Sequence, residues 1–128
     1  MTDKELNEQY WLLGVDDAMV TAEALFKSKI YHHALFYCQL AIEKQLKAII
    51  VNRLKHPAPM IHDLVDLAKT ATIELTRRLT SDLHVITDFN LAARYDSGFY
   101  NFKQKANRKY ALVWYKNTQE ILQWLKKI

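Results

Sequence analysis

Three short groups of residues in this chain have types and spacings that chemistry can use. Glu43, Lys44 and Lys47 fall within five positions. Glu43 and Lys47 are four apart with the acid first, the favourable order for an ion pair along a helix. On an exposed face such a pair contributes about 0.3–0.5 kcal/mol; in a phosphate site the lysines add positive charge. His62-Asp63 follows Pro57 and Pro59, where either residue caps a short helix. Arg94-Tyr95-Asp96 stands just before Gly98. There, either Arg94 covers a helix end while Tyr95 packs, or Arg94 holds a phosphate and Tyr95 stacks on a base. Such a stacking contact is worth roughly 1–3 kcal/mol.

Charge is distributed unevenly. Residues 94–128 hold 8 Lys+Arg against 2 Asp+Glu, and residues 1–93 hold 10 against 12, within a formal net charge of +4. A basic third attracts phosphates; it is also what a solvated helix face looks like. The common catalytic signatures are missing: there is no Gly-rich phosphate loop, no HExxH, no CxxC and no GxSxG. His32 and His33 are adjacent, so on a helix they point about 100° apart. His56 and His62 flank the proline loop and supply two ligands at most. A single cysteine, Cys38, makes neither an intrachain disulfide nor a thiolate cluster. No metal or cofactor is therefore expected.

The elements that carry these groups are helices. Only 2 Gly and 2 Pro occur in 128 residues, against an average usage near 12% for the two together. A sheet-rich chain needs more turns than that. Half the residues are apolar and 12% aromatic, which excludes a disordered chain. Thr2-Asp3-Lys4-Glu5 matches a capping box. Leu6, Tyr10, Leu13, Val20 and Ala24 then form a helical stripe interrupted by Asp17. Gly14 lies inside that helix, where a close helix–helix approach is its usual compensation.

A turn near Phe26 to Lys29 precedes a second stripe of Tyr31, Ala34, Leu35, Cys38, Ala41, Ile42, Leu46 and Ile49, ending near Leu54. After the proline loop comes a short helix through Ala71, burying Leu64, Leu67, Ala68 and Ala71. A fourth runs from about Leu75 to Asn90 on Leu75, Leu79, Leu83, Ile86 and Phe89. Gly98 sits in the next loop, and one long last helix spans Phe102 to Lys127 on Ala106, Tyr110, Val113, Trp114, Ile121, Trp124 and Leu125. The expected fold is all-α: an up-and-down bundle of about five helices forming one domain over residues 1–128. The polar first ten residues are not a signal peptide, and no apolar run approaches a membrane span. A soluble, cytoplasmic protein without a membrane partner is the expectation.

Taken together, the three groups resemble a known family. Tyr31 to Ala48 is similar to the second helix of HEPN domains, which reads Ala, then Gln-x-Ala-x-Glu-Lys, then Leu-Lys-Ala. Here those are Ala34, Gln39-x-Ala41-x-Glu43-Lys44 and Leu46-Lys47-Ala48. His62-Asp63-Leu64 resembles the His-x-Leu that opens the family's next helix, and Asn90 to Asp96 resembles the Ala-Arg-Tyr-Pro-Asp element of one HEPN subgroup. The resemblance implies a helical bundle that usually forms a homodimer and that binds nucleotide or RNA. It also implies a small nucleotidyltransferase as partner in a toxin–antitoxin-like pair. Arg94, Tyr95, Asp96, Lys44, Lys47, Glu43 and His62 are then the nucleotide- and phosphate-binding candidates.

Several HEPN families are metal-independent ribonucleases with an Arg, four to six residues, and a His near the start of the last long helix. After Arg94 the corresponding positions are Phe99, Tyr100 and Asn101, and Asp96 follows Tyr95 with no Pro between. Cleavage through the 2′-hydroxyl needs a base near neutral pH, for which His is the common choice. Arg94 stays protonated and is a poor base. A binding protein is thus expected rather than an enzyme. The alternatives are a metal-independent ribonuclease and a helical dimeric interaction module without ligand.

Overall fold

The computed structural model describes residues 7–93 and 96–128. The expected capping box at Thr2 to Glu5 lies outside them, as do Arg94 and Tyr95. All regular structure among the described residues is helical: α1 (Glu8–Lys27), α2 (Tyr31–Leu54), α3 (Leu64–Thr70), α4 (Arg77–Thr87), a 3-10 helix (Asp88–Ala93), α5 (Ser97–Lys105) and α6 (Arg108–Lys126).

Side chains favoured at helix starts set most of the boundaries. Asn7, Asp63, Thr76, Asp96 and Asn107 each accept a hydrogen bond from a first-turn amide of the helix they open. Two helices end in Schellman turns. At the end of α1, the Lys29 N–H donates to the Phe26 carbonyl and the Ile30 N–H to that of Leu25. At the end of α3, Thr72 and Ile73 repeat the pattern on Lys69 and Ala68. Lys29 (φ 64°) and Thr72 (φ 58°) hold the left-handed position that Gly usually takes. Arg53 steadies the second of these turns by donating from Nη1 to the Ala71 carbonyl at 2.8 Å.

The central element is α2, which touches every other helix. Its stripe faces inward as expected: Ala34, Leu35, Cys38, Ala41, Ile42 and Leu46 are at most 1% exposed. An antiparallel α1 covers one side of it, with Trp11 against Lys47, Gly14 against Lys44 and Phe26 against Tyr31. On another side α6 packs, where Thr118 meets Cys38. Thr87 ties α4 to the start of α3: its hydroxyl accepts from the Leu64 N–H at 3.1 Å and donates to the Leu83 carbonyl at 2.8 Å.

Three expectations are corrected. The α1 stripe of Tyr10, Leu13, Val20 and Ala24 is not the core face. Leu13 and Val20 are 66% and 67% exposed, and Val15, Ala18 and Ala22 are buried instead. Small residues let α1 lie close on α2, so the large apolar ones are left outside. The last helix is two helices, α5 and α6. The apolar pattern runs unbroken through Phe102, Ala106 and Tyr110, but Ala106 leaves helical geometry and the Asn107 side chain caps a new start. Gly98 belongs to the first turn of α5 and not to a loop, because Asp96 caps that helix by accepting from the Phe99 N–H at 3.2 Å. The described residues therefore hold six α-helices and one 3-10 helix, and the all-α bundle stands.

Candidate functional site

Gln39, Glu43 and Lys47 lie four apart and so share one stripe of α2. The Gln39 amide donates from Nε2 to Glu43 Oε1 at 2.9 Å, and Lys47 Nζ donates to Glu43 Oε2 at 3.1 Å. From the loop before α3, His62 reaches the same carboxylate, with Nδ1 3.0 Å from Oε1. A carboxylate only accepts, so the His62 tautomer that bonds it carries its proton on Nδ1. From α1, the Trp11 ring faces the Lys47 ammonium at 5.5 Å.

Burial sets this cluster apart. The side chains of Glu43 and Lys47 are 7% and 9% exposed, whereas that of His62 is 69% exposed. An ion pair of this depth is held by its geometry: removing one partner strands the other charge away from water. Lys44, next to Glu43, turns the other way and lays its stem across Gly14, where an added Cβ would stand 2.7 Å from Lys44 Cδ. That is the close approach the glycine implied, made by a side chain of the neighbouring helix.

The structure thus brings Glu43, Lys47 and His62 together, with Lys44 on the adjoining face. It keeps Asp96 elsewhere. Phe99, which Asp96 caps, packs its ring edge-on against His32 at 5.8 Å. His32 precedes Glu43 by eleven residues on α2, about 16 Å along the axis. At that end, burial holds the His32 imidazole below its ordinary value of 6.5, and the nearby charges of His33 and Lys103 add to the effect. Sequence reasoning passed over Gln39 and Trp11 as members of the Glu43 cluster. Gln39 was findable, four positions before Glu43; Trp11 arrives from another helix and carries no local signal. Cys38 is no nucleophile, since burial pushes its thiol up to about 12 despite a hydrogen bond with Thr118.

A second polar region surrounds the joint between α5 and α6. Lys103, Lys105, Arg108 and Lys109 are all exposed there. Among the described residues none of the four is in an ion pair. Lys105 holds its ammonium 5.3 Å from the centre of the Tyr110 ring. Among the described residues no group of three or more His, Cys, Asp or Glu side chains is arranged to hold a metal, and no helix is long and apolar enough to cross a membrane.

Comparison with known proteins places this arrangement. The family model for the HEPN domain matches residues 9–128. The chain belongs to the HEPN family. The match takes in all of the HEPN bundle from the second residue of α1 to the end of α6. At the level of the family, HEPN proteins are tied to nucleotides and RNA. Neither the curated proteins nor the solved structures gave a match.

Proposed function

We propose that this chain acts over residues 1–128 as a single HEPN unit in the cytoplasm, where it binds nucleotide or RNA as the partner of a small nucleotidyltransferase. The pair is of toxin–antitoxin type. Arg94 and neighbouring cations bind phosphate, Tyr95 stacks on a base, and Asp96 caps α5 next to them in sequence. One observation carries this reading: four exposed cations, with no ion-pair partner among the described residues, crowd the α5–α6 joint within seven residues, in the segment that follows Arg94-Tyr95-Asp96. Like charges so placed repel one another and gain by meeting an anion. The Glu43 cluster serves the site as its frame, since Lys47 is already neutralised by Glu43. Titration with ATP, AMP and a short RNA tests the reading. Binding that weakens on Arg94→Ala supports it; no binding by wild type, or equal binding by the variant, sinks it.

The proposal includes a homodimer through α1. Tyr10, Leu13 and Val20 form an outward stripe beside Asp16, Asp17 and Glu23. A second copy offers the complement on α6, where Lys109 and Lys116 flank the exposed Val113. Light scattering should give a dimer for wild type and a monomer for Leu13→Asp. A monomeric wild type would remove the dimer from the proposal.

One contact favours a second reading, a metal-independent ribonuclease. Phe99 stands where ribonuclease members of the family carry His, and the His32 ring lies against it. Burial and neighbouring cations keep that imidazole deprotonated more readily than usual, as a base requires. RNA cleavage in EDTA across pH 6–9, abolished by His32→Ala, would establish it; intact RNA at every pH would exclude it.

A further inference from the structure

Beside the cation cluster, α4, the 3-10 helix, α5 and α6 enclose a cleft of about 340 Å³. Its α5 wall is one helical face, Gly98, Asn101 and Lys105, and Asp88 and Tyr110 line it from the neighbouring elements. The floor is apolar and buried. Phe89 and Phe102 are 1% and 6% exposed, and their rings pack on each other at 5.6 Å. The rim is polar and open, because Asp88, Asn101 and Lys105 are all exposed. At Gly98 the wall packs closely on its neighbours: an added Cβ would sit 3.1 Å from Asp96 Oδ1 and 3.3 Å from Leu91 Cδ2.

We infer that this cleft binds one nucleoside monophosphate with an amino-bearing base, its base edge held by Asp88 and Asn101 and its phosphate by Lys105. The inference rests on the nucleotide reading above and gives that reading a place. Three features favour this ligand. The volume lies at the low end of small-ligand sites and suits a single nucleotide, not an oligonucleotide. An apolar floor with a few convergent polar groups is how such sites hold a flat heterocycle. The polar groups differ along the rim. A carboxylate accepts from an exocyclic amine, a carboxamide both donates and accepts, and an ammonium donates to phosphate oxygens. The phenol of Tyr110 fits the same picture, since burial first and the Asp88 charge second push its pKa up, which keeps it a neutral donor.

Calorimetric titration of the full chain with AMP, adenosine, inosine monophosphate and inorganic phosphate tests the assignment. AMP is expected to bind at least tenfold more tightly than inosine monophosphate, which carries a carbonyl in place of the amine. Asp88→Asn should narrow that ratio to within threefold. Lys105→Ala should weaken AMP about tenfold and leave adenosine unchanged. All the altered side chains are exposed, so folding is not at stake. If wild type binds ATP or RNA but not AMP, the cleft assignment fails and the nucleotide reading stands. Unchanged AMP binding by both variants has the same meaning. If wild type binds none of ATP, AMP and RNA, the nucleotide reading itself fails, and the cleft with it.

Discussion

The Glu43 cluster and the α5–α6 joint are both polar, yet they are built on opposite principles. Around Glu43 one carboxylate, itself nearly out of contact with water, meets three donors from α2 and the loop before α3, of which only His62 is exposed. Around the joint four cations face solvent with no ion-pair partner among the described residues. The closed region has already used its charges within the fold. The open one leaves its charges in solvent, where in our proposal they meet a phosphate. A motif that identifies a family therefore need not be where a ligand sits. Its residues can instead be what holds the helices of the bundle together.

The most direct way to break this comparison is to remove Glu43. Glu43→Ala leaves the Lys47 ammonium buried without its acid, and the expected loss is about 3–5 kcal/mol of stability, read from urea unfolding. Replacing both partners, as Glu43→Leu with Lys47→Met, should recover only part of it: an apolar pair of similar volume has no charge to desolvate, but the buried Gln39 amide loses its acceptor, which costs about 1–3 kcal/mol. A loss below about 1 kcal/mol for Glu43→Ala would mean that the cluster is not a closed structural unit. The chain supplies its own control. Glu23 and Lys27 repeat the same spacing and order, and their side chains meet at 2.8 Å, but they are 53% and 73% exposed. Glu23→Ala should leave the urea midpoint where it is.

A smaller effect is expected where α3 turns towards α4. Thr72 occupies a left-handed conformation that a β-branched residue adopts only under strain. Thr72→Gly should raise stability by about 1 kcal/mol, less the flexibility Gly adds to the unfolded chain. The open region should show the reverse profile. Lys105→Ala should shift stability by less than about 0.5 kcal/mol while weakening nucleotide binding and lowering its salt dependence. A large stability loss there would place Lys105 in the frame and remove the contrast between the two regions.

How much of this was legible in the residue pattern varies by region. The inward stripe of α2, the short α3 with Asp63 at its cap, and the turn after α1 follow from local spacing and cap chemistry, which neighbours in sequence decide. The orientation of α1 does not. Its core face is made of Val15, Ala18 and Ala22, whose small size matters only once α2 is beside them. Periodicity instead picked out the larger Tyr10, Leu13 and Val20, which lie outside. The break at Ala106–Asn107 was hidden for a related reason: the apolar rhythm crosses it unchanged, and only the Asn107 cap marks it. At the candidate site, the Glu43–Lys47 pair was readable, but its depth was not. Nothing local separates it from Glu23–Lys27, because burial comes from which helices pack on top. Left-handed Lys29, Lys55 and Thr72 carry a similar lesson, since the few glycines did not mark where the helices stop.

The smallest effect concerns His32, which stands on α2 beside the open region. Burial, then the charges of His33 and Lys103, hold its imidazole below 6.5 in the folded chain. Between the folded and unfolded values the unfolded chain binds more protons, so stability rises with pH across that window. The contribution is complete above about 6.5 and is lost as pH falls through the folded-state value. Urea midpoints at pH 7.5 and pH 5.0 should therefore differ more in wild type than in His32→Gln. Lys103→Ala removes one of the charges that disfavour the imidazolium and should shrink the difference partway. An equal pH dependence in all three proteins would mean that the cations at this end of α2 do not act on His32. The open region would then be a set of separately solvated side chains and not a shared positive field.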